Sequence, residues 1–143
     1  MALTTTPLPA RAQAYADLHG LNNVTARALA PIAQFIEPEI YSEIIINRPG
    51  VLQLETHTGD WSTINLPELD QAVLEEFART AANLVGQLYT PSNPIMTCKL
   101  PGGHRVQVVG GYHAPQGFTM AIRLKKERVF AFEEFDLPAD ERA

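Results

Sequence analysis

From residue 95 to residue 125 apolar and polar positions alternate with a period of two, the spacing of strands with one buried face. Three strands are predicted there: Ile95–Leu100, His104–Val109 and Phe118–Lys125. Pro101-Gly102-Gly103 supplies a tight turn between the first two, and the segment 110–117 joins the last two. Upstream, Ser42–Asn47 is rich in β-branched residues and reads as another strand. Arg48-Pro49-Gly50-Val51 then forms a type II turn, with proline pre-set for the first central position and glycine for the second. The chain returns through Val51–Glu55, turns at Thr58-Gly59-Asp60 and runs on as Trp61–Asn65, a meander.

Period 3.6 appears in two places. Leu29, Ile32, Phe35 and Ile36 mark a helix with Pro31 in its first turn and its end at Pro38. Asp70 is a suitable N-cap for a longer helix, whose stripe is Val73, Phe77, Ala81, Leu84 and Leu88, widened by Leu74, Ala78 and Val85. Residues 1–22 show little periodicity, with a short helix around Ala12–Leu18. The order αβββαβββ predicts an α+β domain: a mainly antiparallel six-stranded sheet with two to three helices. Residues 1–28 are assigned to a partly ordered tail and 29–126 to the domain body.

The hairpin of the last two strands fixes a face. If Val106 and Val108 share a core with Phe118, Met120, Ile122 and Leu124, Val106 pairs with Ile122 and Val108 with Met120. Arg105 then stands opposite Arg123 on the other face, with Gln107 and Lys125 beside them. Like charges directly opposed are destabilising unless something bridges or solvates them. A guanidinium fork suits phosphate or carboxylate. Two readings stay open at this point: an anion site, or arginines that are solvated or paired within the chain.

Charge sharpens the choice. The 143-residue chain carries a net −5, yet residues 96–126 hold Lys99, Arg105, Arg123, Lys125 and Lys126 and no acid. The overall acidity argues against a nucleic-acid binder, and no apolar run is long enough to span a bilayer. The single cysteine, Cys98, reads as a small buried side chain. His104 and His113 flank the basic hairpin without a third ligand at useful spacing, so no metal site is expected. Neither a phosphate-binding G-x-x-x-x-G-K-[ST] loop nor a hydrolase motif is present, and the chain by itself is expected to be inactive on ATP.

Five pieces in order resemble one family. They are Leu29-Ala30-Pro31-Ile32 with Phe35; Glu43 to Gly50; Val51 to Glu55 followed by Trp61; Leu100 to Val109; and Ala121-Ile122-Arg123. Together they resemble the N-terminal domain of the traffic ATPases of type IV secretion (the VirB-eleven and TrbB type). The resemblance implies an α+β domain that precedes a RecA-like domain, with 127–143 as the start of the linker between them. It implies six copies in stacked rings, a homo-hexamer working with other secretion components at the cytoplasmic face of the inner membrane. ATP and Mg²⁺ would lie between the two domains, with Arg105 and Arg123 as the nucleotide-binding residues facing the phosphates. The chain departs from the family at His104, at Gly110-Gly111 and at Leu124-Lys125-Lys126. The alternative is a free-standing regulatory module of the same fold, whose basic face docks on an acidic surface of a secretion machine.

Overall fold

The computed structural model describes residues 7–111, 114 and 116–125. Three helices, α1 (Ala10–His19), α2 (Asn23–Ala33) and α3 (Gln71–Leu84), accompany six strands. The strands are β1 (Tyr41–Arg48), β2 (Val51–Thr56), β3 (Trp61–Asn65), β4 (Ile95–Leu100), β5 (His104–Gly110) and β6 (Phe118–Arg123). They form one sheet in the order β3-β2-β1-β6-β5-β4, with every neighbouring pair antiparallel. The α+β expectation holds. Each half of the chain makes its own three-stranded meander, and the pairing of β1 with β6 joins the two.

The core lies on one face of the sheet. Ile44 and Ile46 from β1, Leu52 and Leu54 from β2, Val106 and Val108 from β5, and Phe118, Met120 and Ile122 from β6 are all buried there. They share one cluster with Leu29 and Ile32 of α2 and with Leu74 and Phe77 of α3. Strict alternation is why: a strand that buries every second side chain leaves the others for the opposite face.

The helices differ from the sequence expectation at their ends. Asn22 caps α2 by accepting the Thr25 amide at 2.8 Å, so the helix begins well before Leu29. Pro31 consequently sits in the last turn rather than the first. A proline there cannot donate to the carbonyl four residues back, so α2 has one intrahelical hydrogen bond fewer in its last turn. The expected start of the body at Leu29 thus falls inside a helix, and α1 lies outside that body altogether. Yet α1 packs: Ala12, Tyr15 and Ala16 are buried, and the Tyr15 hydroxyl donates to the Pro101 carbonyl at 2.6 Å.

Asp70 caps α3 as expected, accepting the Val73 amide at 2.9 Å. The apolar stripe, however, outruns the helix. α3 ends at Leu84, Gly86 turns the chain at a φ of 74°, and Leu84, Val85 and Leu88 stay exposed. Beyond this turn the chain needs a left-handed residue, and only glycine adopts that conformation without strain.

Candidate functional site

The face of the sheet opposite the helices holds the candidate site. The β5–β6 register pairs Val106 with Ile122 and Val108 with Met120, and sets Arg105 directly opposite Arg123. This is the register expected from a shared core for the two apolar sets. Both arginines are exposed. Neither holds a hydrogen bond or an ion pair with any described residue. Together with Glu43, Gln107 and Ala121 they line a depression of about 390 Å³.

The pairings extend this spot into a row across the whole sheet. Lys99 of β4 faces Arg105, Arg105 faces Arg123, and Arg123 faces Glu43 of β1. Glu43 faces Glu55 of β2, which faces Trp61 of β3. Three cations, two carboxylates and an indole thus stand in line, each about 4.8 Å from the next along the hydrogen-bonding direction. Glu43 is partly buried and, like the arginines, has no partner among the described residues. Glu55 is partly buried too, and accepts from the Ser42 hydroxyl at 3.4 Å. Trp61 is 54% exposed at the edge. A neighbouring depression lined by Glu43, Glu55, His57 and Arg123 continues the trough along the row.

The sequence reading found the cationic half of this row and missed the acidic half. Lys99, Arg105 and Arg123 lie close together in sequence, and the hairpin between the arginines can be paired by parity alone. Glu43 reaches Arg123 only through the β1–β6 pairing, which joins residues 80 positions apart and leaves no local signal. Lys125 also departs from the expected picture. β6 ends at Arg123, and the Lys125 amide donates to Nδ1 of His104 at 3.0 Å. Its aliphatic stem lies over Gly103, against the position a Cβ there would take.

The remaining candidates fall into structural roles. His104 is 4% exposed on the core side, its ring 6.5 Å from that of Tyr15. Accepting an amide proton at Nδ1 keeps its other nitrogen as the protonated one in the neutral ring. The His19 ring packs tilted against Tyr15, centroids 4.7 Å apart, and Nε2 of His57 lies 3.1 Å from the Glu39 carbonyl. His113 and the acidic segment with Glu133, Glu134 and Asp136 lie outside the described residues. Cys98 is buried on β4, and burial pushes its thiol above the usual range. That thiol is a packing group rather than a nucleophile.

No family model matches the chain. It is 34% identical over 123 residues to the type IV secretion system protein VirB11 of Bartonella quintana, covering 82% of this chain and 34% of that protein. Over the same length it is 33% identical to VirB11 of Bartonella henselae. Protein VirB11 of Rhizobium radiobacter is 33% identical over 107 residues, 74% of this chain and 31% of its own length. The chain therefore spans about a third of the curated relatives it matches. Among solved structures, the VirB11 ATPase from the Brucella suis type IV secretion system, in complex with sulphate, shares the fold with a TM-score of 0.64 at 24% identity. That likeness covers 78% of this chain and 34% of the solved one.

Proposed function

The chain is homologous to the VirB11 proteins of type IV secretion systems, and on that premise we propose that it serves as the N-terminal domain of a secretion ATPase. In this reading Arg105 and Arg123 face the phosphates of a nucleotide held against the open face of the sheet. The observation that carries it is the directly opposed Arg105 and Arg123, exposed and with no side-chain partner among the described residues. Placing two cations side by side is unfavourable by itself. An anion that accepts from both forks removes the repulsion, and phosphate oxygens match the fork in spacing and charge.

The residues present fit the phosphates of ATP and fit nothing more of the hydrolytic apparatus. The chain contains no G-x-x-x-x-G-K-[ST] loop. Among the described residues no cluster of three or more His, Cys, Asp or Glu side chains stands ready for a metal ion. ATP, when bound, supplies the phosphoryl group, and Mg²⁺ would be held by a RecA-like partner domain. What this chain adds is electrostatic: the two guanidiniums orient the phosphates and stabilise the negative charge that spreads over them in the transition state. In the assembly we envisage, six copies form a ring with other secretion components at the cytoplasmic face of the inner membrane. No helix among the described residues is long and apolar enough to cross a membrane. The exported cargo would be protein or conjugative DNA.

The test joins the chain to a RecA-like ATPase domain and compares wild type with Arg105→Ala and Arg123→Ala. Each substitution removes a charge-assisted contact and is expected to cost about tenfold or more in ATP affinity or turnover. Unchanged affinity and turnover in both variants would overturn the role. The chain alone is expected to give no ATP turnover above background in a phosphate-release assay. Turnover abolished by changing one of its own residues would refute that.

A further inference from the structure

The row across the open face asks for a ligand with two unlike ends. A purely anionic ligand satisfies Arg105 and Arg123 but meets Glu43 one strand away and Glu55 two strands away. Glu43 and Glu55 are themselves directly opposed like charges, as costly together as the arginines are. The chain does not cancel one pair with the other. Arg123 and Glu43 occupy facing positions, yet neither holds an ion pair with a described residue. Both charge pairs line two adjoining depressions that share Glu43 and Arg123.

We infer that Glu43 and Glu55 accept the two vicinal hydroxyls of a ribose whose phosphates lie on Arg105 and Arg123; the inference rests on the nucleotide reading above. Two neighbouring carboxylates are acceptor-only groups, and a vicinal diol offers two donors at close spacing. An acidic side chain receiving ribose hydroxyls beside a phosphate site is a general solution of dinucleotide-binding folds. The scale agrees: the carboxylates stand about 5 and 10 Å from the Arg123 strand by the strand spacing, the range separating the phosphates of a nucleotide from its sugar hydroxyls. The diol also settles the repulsion between the carboxylates, since each receives a proton donor. The substrate class is thus a ribonucleoside di- or triphosphate, selected over its dideoxy counterpart and over bare pyrophosphate.

Trp61 stands one strand beyond Glu55 in the same row and is the only tryptophan, so its emission reports on the site directly. The whole chain is titrated to millimolar ligand with ADP, with 2′,3′-dideoxy-ADP and with pyrophosphate. Amide shifts in ¹H–¹⁵N spectra are recorded alongside the Trp61 signal. Wild type is expected to bind ADP about tenfold more tightly than dideoxy-ADP, the worth of one or two charge-assisted hydrogen bonds. In the Glu43→Ala/Glu55→Ala double variant that ratio should fall to about one, while pyrophosphate binding is kept or strengthened. Arg105→Ala/Arg123→Ala should weaken all three ligands alike. Equal affinity of wild type for ADP and dideoxy-ADP, with arginine-dependent pyrophosphate binding, would overturn the diol contact and leave the phosphate reading standing. No shift with any ligand, or shifts that ignore the arginines, would overturn both. The substituted positions lie on the open face, and matching unfolding midpoints would show that the fold is unaffected.

Discussion

At the scale of single residues, the tightest constraint lies away from the arginines. A Cβ built on Gly110 would fall 2.1 Å from the Tyr89 hydroxyl oxygen. The glycine is needed there for space, because its own φ is ordinary. The ring that must give way is buried, so Gly110→Ala should lower stability by about 1–3 kcal/mol, the range for overpacking a filled site. The urea midpoint would report it, and an unchanged midpoint would mean that the ring moves freely. Tyr89 itself is buried, with the Glu75 carboxylate close to its hydroxyl. Burial first, and then the nearby Glu75 charge, push the phenol well above its ordinary range. A group raised in this way stabilises the fold below its unfolded pKa, near 10 for tyrosine, and loses that contribution as pH climbs beyond it. Stability should therefore fall with pH above about 10, and fall less steeply in Tyr89→Phe. Parallel curves for the two proteins would show that Tyr89 is not responsible.

At the scale of elements, local chemistry was legible and long-range pairing was not. The β5–β6 register could be read because both strands alternate and both must place their apolar set on one core. Asp70 could be read because a capping carboxylate, the helix it starts and the donor amide lie within four positions. Asp70→Ala should cost about 1 kcal/mol, seen as a lower thermal midpoint with unchanged strand signals. The short helix around Ala12–Leu18 is present as α1, but its packing onto the body was hidden because its buried set is Ala12, Tyr15 and Ala16, two of them too small to mark a stripe. Its anchor, the Tyr15 bond to Pro101, spans 86 positions. The start of α2 was hidden because its first turn, Asn23 to Ala26, gives the core only the small Ala26 and leaves Val24 exposed, so the apolar run beside Pro31 stood out instead. Leu88 misled in the other direction, since its spacing suits a helix that Gly86 has already ended. The candidate site divides along the same line: its arginines follow from local alternation, while Glu43, Glu55 and Trp61 join them only when the two halves of the sheet meet.

At the scale of the whole molecule, the sheet gives the domain two unlike sides. One carries the helices and the core, and the other carries the charged row, with apolar side chains such as Ile45, Val109 and Ala121 beside it. The homology to VirB11 proteins was legible because short pieces of α2 and of the sheet's strands and turns follow one another in the family's order. The strand order has its own consequence. Within each meander, partners are joined by short turns, but Glu43 and Arg123 at the β1–β6 join are 80 positions apart. Closing that loop costs chain entropy before it returns any contact. The two meanders should therefore assemble first and the join between them last. Ile44→Val and Ile122→Val at the join should mainly speed unfolding and leave the refolding rate nearly unchanged. Refolding slowed in proportion to lost stability would place the join in the nucleus instead. The fold is then a suture of two meanders over one shared core, and a chain cut in the exposed stretch between Val85 and Leu88 should still heal from its pieces, because that stretch lies outside both. Recovery of native Trp61 emission on mixing the two fragments is the expected outcome, and fragments that never recombine would show that the halves depend on covalent continuity.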